Sequence, residues 1–383
     1  MRKLSAAFKS YIAGTDLLLL LIAVITSAYG MLLISSATYA GSSTRPLIVQ
    51  GIAIALGVGA YIFLTWFDIE HLSFLWKAVF FCNLILLATT LFWGVGMEST
   101  GNNSWIRFTL GGVETGIQPG EIGKILFIFT LAKHFQVLGD DLNTFRGLLM
   151  LILHAVIVVG FVYVFSKDDG MALSYLFIFV IMAFAGGIYL RFCAVGLVGI
   201  AAALPLVWTF VLGQYQRDRF IVLFDGTYKA DSVGYHQRQS VAAITSGGLW
   251  GDGLYQGSIT QSGSLPAKQT DFIFSVACEE LGFFGGLLII LLLCLIIGIC
   301  VAAAVRMRQD KFSMLMCIGI ASMFTFQTFI NIGMNLRVAP VVGLTLPFIS
   351  YGGTSVVTMF AAIGIVASLK RHYNPDAFRR SPL

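Results

Sequence analysis

The strongest chemical candidate in this chain is Asp271, in the run Lys268-Gln269-Thr270-Asp271-Phe272-Ile273-Phe274, where a charged stretch enters an apolar one. A carboxylate at such a boundary is partly removed from water, which raises its pKa toward the range of a general base. The plain alternative is an acid set at a helix start, where the helix dipole favours negative charge. Glu279 and Glu280 follow on the apolar run. If the helix is continuous, the step from Asp271 to Glu279 amounts to ~80° of net rotation, so those two share a face and Glu280 points away. Carboxylates inside apolar spans usually face a cavity or a partner, which makes Glu279 the better pocket candidate.

Other candidates are grouped by spacing. Gln118-Pro119-Gly120-Glu121 reads as a helix start, with Lys124 one turn further along. A Glu and a Lys three apart either neutralise each other or serve a site. Trp105 and Arg107 follow Gly101 in a polar segment; Trp105 is either an interfacial anchor or a contact for a ligand. Asp168 and Asp169 occupy a short turn, and His154 lies within an apolar run, where a packing role is the simpler reading. The segment from Pro340 to Ser355, which includes Ser350, is dense in Gly, Pro and Ser and can expose backbone groups to a ligand. The chain carries no phosphate loop, no paired metal-ligand histidines and no Ser-His-Asp signature, so it is not expected to hydrolyse ATP.

The elements that must position these residues are membrane helices. The chain has 383 residues, 57% of them hydrophobic and only 11% charged, too little charge to keep that much apolar surface in water. Apolar runs of about 20 residues predict ten helices, over 16–36, 46–66, 74–93, 119–137, 146–166, 170–188, 191–212, 272–305, 313–336 and 351–370. The fold class is therefore an all-α polytopic membrane protein, a single domain over 1–383, with a long extracytoplasmic loop, 213–271, between helices 7 and 8. The run 272–305 exceeds one span, so it is expected to tilt or to project from the bilayer. The apolar run at 17–34 lacks a small-x-small cleavage site and reads as a retained helix.

Orientation follows from the short connections. Arg2, Lys3, Lys9, Lys77, Lys133, Arg146, Arg191, Arg306, Arg308, Lys311, Lys370, Arg371, Arg379 and Arg380 fall on one side, against Arg45, Arg107, Lys167 and Arg337 on the other. The positive-inside rule then places both termini in the cytoplasm. The net charge of +5 lies in these short loops, where it meets lipid headgroups rather than nucleic acid. Two outer segments stand out, the Gly-rich loop 94–118 and the loop 213–271. The latter holds Arg217, Arg219, Lys229, Arg238 and Lys268 with Asp218, Asp225, Asp231, Asp252 and Asp271. Its Gln239–Gly257 stretch mixes apolar residues with glycines and is expected to form amphipathic or re-entrant pieces flooring a cavity. The six cysteines show no metal-ligand spacing.

Several of these stretches, in this order, resemble the SEDS family (RodA, FtsW, SpoVE). The matching residues are Trp105-Ile106; Gln118-Pro119-Gly120-Glu121 with Lys124; Lys167-Asp168 with Gly170; Ser246-Gly247-Gly248-Leu249-Trp250-Gly251; Thr270-Asp271-Phe272-Ile273-Phe274 with Glu279-Glu280-Leu281-Gly282; and Leu346 to Gly353. They span most of the chain, and the family's ten-helix fold agrees with the count above.

The resemblance implies a peptidoglycan glycosyltransferase of the bacterial plasma membrane, which polymerises lipid II beside a class B penicillin-binding protein, a transpeptidase. Asp271 then matches the family's essential outer-loop aspartate, acting as general base or orienting the acceptor. The substrate-binding candidates become Trp105, Arg107, Glu121, Lys124, Asp168, Arg217, Arg219, Lys268, Glu279 and Ser350. Lys124, Arg217 and Arg219 are expected to stabilise charge on the pyrophosphate. A divalent cation, magnesium or manganese, could share that task, although no ligand set is legible. The chain departs from the family pattern at Asn103, Ser104, Gly120, Asp169, Met171, Gln269 and Leu336-Arg337-Val338-Ala339, none of them a residue assigned to catalysis. Gln214 to Arg219 and Asn331 to Met334 look more like the elongation branch. Two rival readings are a flippase for lipid-linked precursors and a non-enzymatic scaffold for a transpeptidase; both leave Asp271 dispensable.

Overall fold

The computed structural model describes residues 16–41, 44–96, 102–110, 113–225, 228–229 and 232–373. Arg2, Lys3, Lys9, Arg379 and Arg380 of the orientation argument, together with Gly101 and Asp231, lie outside them. Thirteen α-helices are present among the described residues. In chain order they are α1 Leu17–Tyr39, α2 Arg45–Leu64, α3 Trp76–Trp93, α4 Pro119–Leu138, α5 Phe145–Phe161, α6 Asp169–Ala185, α7 Leu190–Leu206, α8 Gln214–Phe224, α9 Tyr235–Ser246, α10 Ser258–Ser262, α11 Ile273–Arg306, α12 Lys311–Asn335 and α13 Gly353–His372. Among the described residues nine helical segments are long and apolar enough to cross a membrane, and α6 is a shorter apolar helix in the remaining expected place. The protein is a multi-pass membrane protein.

Local chemistry explains where these helices start. The carboxylates of Asp16, Asp168 and Asp310 and the hydroxyl of Thr144 accept from backbone N–H groups of the first turns of α1, α6, α12 and α5. Pro46 and Pro119 open α2 and α4, where a missing N–H costs nothing. α12 lies at the centre, packed on α4, α6 and α11, while α13 packs along α2. The second contact is close because a Cβ on Gly57 would lie 2.7 Å from the Phe360 ring, as expected where van der Waals packing holds helices together in lipid. α7 stands at the edge, and none of its described residues is buried. An ion pair between Asp16 and Lys370 joins the start of α1 to the end of α13 at one end of the bundle.

Three expectations need correction. The segment 94–118 is not purely loop. It contains an antiparallel hairpin, β1 Ile106–Leu110 and β2 Val113–Ile117, paired Ile106 to Ile117 through Leu110 to Val113. The long run 272–305 is not one regular helix, because α11 is broken at Gly282, whose φ of 68° and ψ of −163° suit only glycine. The kink is built against the turn that follows α9: Phe283 N–H donates to Gly248 O, and Asp252 and Gly253 N–H donate to Glu279 O and Glu280 O. Finally, Gln239–Gly257 lines no part of the cavity that holds Asp271; it braces this kink, with Leu249 and Trp250 exposed.

Candidate active site

Asp271 sits in an irregular turn immediately before α11, in which the N–H groups of Thr270, Asp271 and Phe272 all reach Ala267 O. Every carbonyl from Gln269 to Asp271 is held from outside the turn. Tyr351 N–H donates to Gln269 O at 2.8 Å, Ser350 Oγ to Thr270 O at 2.6 Å, and Asn331 and Asn335 Nδ2 to Asp271 O at 3.1 and 2.9 Å. The backbone is fixed while the Asp271 carboxylate accepts no hydrogen bond among the described residues. It faces a cavity of about 740 Å³ at the end of the bundle where α2, α4, α6, α11 and α13 begin.

The cavity brings together residues from distant parts of the chain. Trp105 comes from just before the hairpin, bridged to Val95, Arg107 from β1, Glu121 from the first turn of α4, Asp168 from the N-cap of α6, and Arg219 with Tyr215 from α8. Arg45, Gln118, His236, Val341 to Thr345 and Tyr351 complete the wall. Three acids, Glu121, Asp168 and Asp271, and three arginines, Arg45, Arg107 and Arg219, thus share one chamber. Burial pushes the Asp271 carboxyl up to about 6, against the pull of Arg219 and with some repulsion from Asp168. Asp168 is likewise raised to about 6 by burial, although its carboxylate accepts the Met171 N–H at 2.9 Å. Burial and Arg219 together lower His236, which keeps its imidazole neutral at pH 7.

Five sequence candidates lie outside this cavity wall. Lys124 is fully buried one turn below it, where Nζ donates to Glu121 Oε1 at 2.8 Å. Arg217 turns away and donates to Thr209 O at 2.8 Å. Lys268 reaches Thr260 O inside the loop. Ser350 braces the wall, accepting from Leu346 N–H and donating to Thr270 O. Glu279 is fully buried and caps the short α10 by accepting from Ile259 N–H, Thr260 N–H and Thr260 Oγ at 2.6–2.9 Å. The shared-face argument for Glu279 fails because Asp271 precedes the helix, so helical phase does not relate the two. The basic group at the cavity is therefore Arg45, Arg107 and Arg219, not Lys124 and Arg217 with Arg219. Among the described residues no three His, Cys, Asp or Glu side chains converge as a metal cage.

Sequence reasoning passed over Arg45, Gln118, His236 and the two asparagines. A signal existed for the last: Gln327, Asn331 and Asn335 recur every fourth residue along apolar α12, a polar stripe that a lipid-facing helix would not carry.

A bundle of apolar helices with a mixed-charge chamber at one end, and one unpaired carboxylate within it, describes a membrane-embedded enzyme working at the bilayer boundary. Residues 16–375 match the family described as Cell cycle protein, the FtsW/RodA/SpoVE group, and the chain belongs to that family. It is 35% identical over 295 residues, 76% of either chain, to the peptidoglycan glycosyltransferase MrdB of Escherichia coli K12. Stage V sporulation protein E of Bacillus subtilis is 31% identical over 370 residues, covering 93% of this chain and 97% of that one. Among solved structures, RodA of Thermus thermophilus superposes with a TM-score of 0.68 at 26% identity, covering 94% of this chain and 98% of that one. A chain from a peptidoglycan synthase complex, in a study of how polymerization and crosslinking are coordinated, gives 0.78 at 28% identity, covering 94% and 99%.

Proposed function

We propose that this protein is a peptidoglycan glycosyltransferase that polymerises lipid II at the outer face of the bacterial plasma membrane, with both termini in the cytoplasm. The observation that carries the reading is the Asp271 carboxylate, bare and raised to about 6, on a backbone held at three successive carbonyls beside Arg219. In the reaction, the 4-hydroxyl oxygen of the acceptor sugar bonds to the anomeric carbon of the donor, whose bond to the pyrophosphate oxygen breaks with inversion. Asp271 takes the hydroxyl proton, and undecaprenyl pyrophosphate leaves with the bonding pair. Arg219, Arg45 and Arg107 oppose the charge that develops on it.

A divalent cation, magnesium or manganese, fits as a companion of the pyrophosphate. Magnesium commonly takes one or two carboxylates plus substrate phosphates, and Asp168 faces the same chamber as the base. When bound it supplies neutralisation of the leaving group. Trp105 offers a ring face to a sugar. The partner is a class B penicillin-binding protein, and the branch-like segments at 214–219 and 331–334 favour a role in elongation.

The test is lipid II polymerisation in proteoliposomes with a transpeptidase-inactive partner, comparing wild type with Asp271→Asn. Glycan strands from wild type alone support the reading. Equal strands from both remove Asp271 as the base, and none from either favours a flippase or scaffold.

A further inference from the structure

We propose that Asn331 and Asn335, neighbours one turn apart on α12, are positioning residues that hold Asp271 out of the helix it precedes. This rests on the assignment of Asp271 as the base. In a regular helix the Asp271 carbonyl would accept from the N–H four residues on, that of Ser275. Here the Asn335 carboxamide is spliced between the two. Its Nδ2 donates to Asp271 O at 2.9 Å, and its Oδ1 accepts the Ser275 N–H at 3.2 Å and the Ser275 hydroxyl at 2.5 Å. The Ser275 N–H falls back to the tighter Phe272 O, at 3.1 Å. α11 accordingly begins at Ile273, and Asp271 stays in the turn.

Asn331 adds a second constraint. Its Nδ2 donates to the same Asp271 carbonyl at 3.1 Å and to Leu344 O at 2.7 Å. Leu344 belongs to the 341–345 stretch of the cavity wall, so one side chain ties the base to the neighbouring wall segment. Both asparagines are fully buried, and their amide protons find acceptors: Asn335 Nδ2 also reaches Asn331 O at 2.8 Å. Buried amides are costly unless satisfied, and apolar residues would fill the same space without that requirement. Their value lies in placement. With the amides removed, Asp271 O and Ser275 N–H are free to close the ladder, and each residue added to the helix turns by ~100°. That swings the carboxylate from the chamber.

The experiment uses full-length protein in proteoliposomes with the partner present. It compares wild type, Asp271→Asn, Asn331→Leu, Asn335→Leu and the Asp271→Asn/Asn331→Leu double variant. Misplacement of a reacting group by about 1 Å costs ~10²-fold, so each Leu variant should lose ~10–100-fold in kcat with KM within ~3-fold. The acid limb of kcat/KM should also move to lower pH as Asp271 meets water, and the double variant should be no slower than Asp271→Asn alone. Unchanged kcat in the Leu variants overturns the proposal, as does a further loss in the double variant, which marks a merely structural role. If the Leu variants do not fold, Asn331→Ser and Asn335→Ser carry the same readout. Inactive Asp271→Asn beside fully active Asn331 and Asn335 variants removes only the positioning role; active Asp271→Asn removes the base assignment itself.

Discussion

Lowering the pH should silence this enzyme about two units before an ordinary aspartate would lose its charge. In the role proposed for it Asp271 must be ionised to take a proton, and burial raises it from 3.8 to about 6. The active form is therefore lost as pH falls through about 6. One unit either side of that midpoint, ~91% of the carboxyl is ionised at pH 7 and ~9% at pH 5, so kcat/KM should drop roughly tenfold over that interval. An ordinary aspartate would still be ~94% ionised at pH 5 and would show almost no loss. Two substitutions fix the sign. Asp168→Asn removes a like charge, so the limb moves to lower pH; it also removes a second group that titrates near 6. Arg219→Gln removes an opposite charge, so the limb moves to higher pH. The assay is the initial rate of lipid II polymerisation at subsaturating substrate between about pH 4.5 and about 8, which brackets the acid limb. A rate flat down to about pH 5, or shifts of the opposite sign, would falsify the account of Asp271 as a desolvated base.

Gly282→Ala should be severely destabilising. Its Cβ would lie 2.4 Å from Leu249 O and 2.5 Å from Gly251 N, both backbone, in a conformation only glycine adopts easily. Strain and overlap together suggest ~3–5 kcal/mol, read as thermal unfolding in detergent; a loss under ~0.5 kcal/mol would show that the kink can relax. Lys124→Met should cost ~3–5 kcal/mol by stranding the buried Glu121 carboxylate, and adding Glu121→Gln should recover most of it. Additive losses in that cycle would show the pair is not coupled.

The identity of the solvent, the span count and the acids worth testing were all legible in the chain. Long apolar runs can be satisfied only as helices in lipid, and local capping groups such as Asp16, Pro119 and Asp310 mark their starts without reference to anything distant. Asp271 was legible too, because a carboxylate at a polar-to-apolar boundary is unusual on its own. What local pattern could not supply was which candidates meet. Glu279 looked like a partner of Asp271 only while the helix was assumed continuous; the start at Ile273 and the break at Gly282 sent it to cap α10 instead. Lys124 and Arg217 matched Arg219 in charge, yet one is buried against Glu121 and the other bonds Thr209. Arg45 and His236 entered the chamber although nothing near them in sequence marked them. Sequence neighbours determine helices through bonds four residues apart, whereas the chamber is enclosed by five helix starts and a hairpin. Its chemistry was decided by which helix starts the tertiary packing brings to one end of the bundle, which no single stretch of residues encodes.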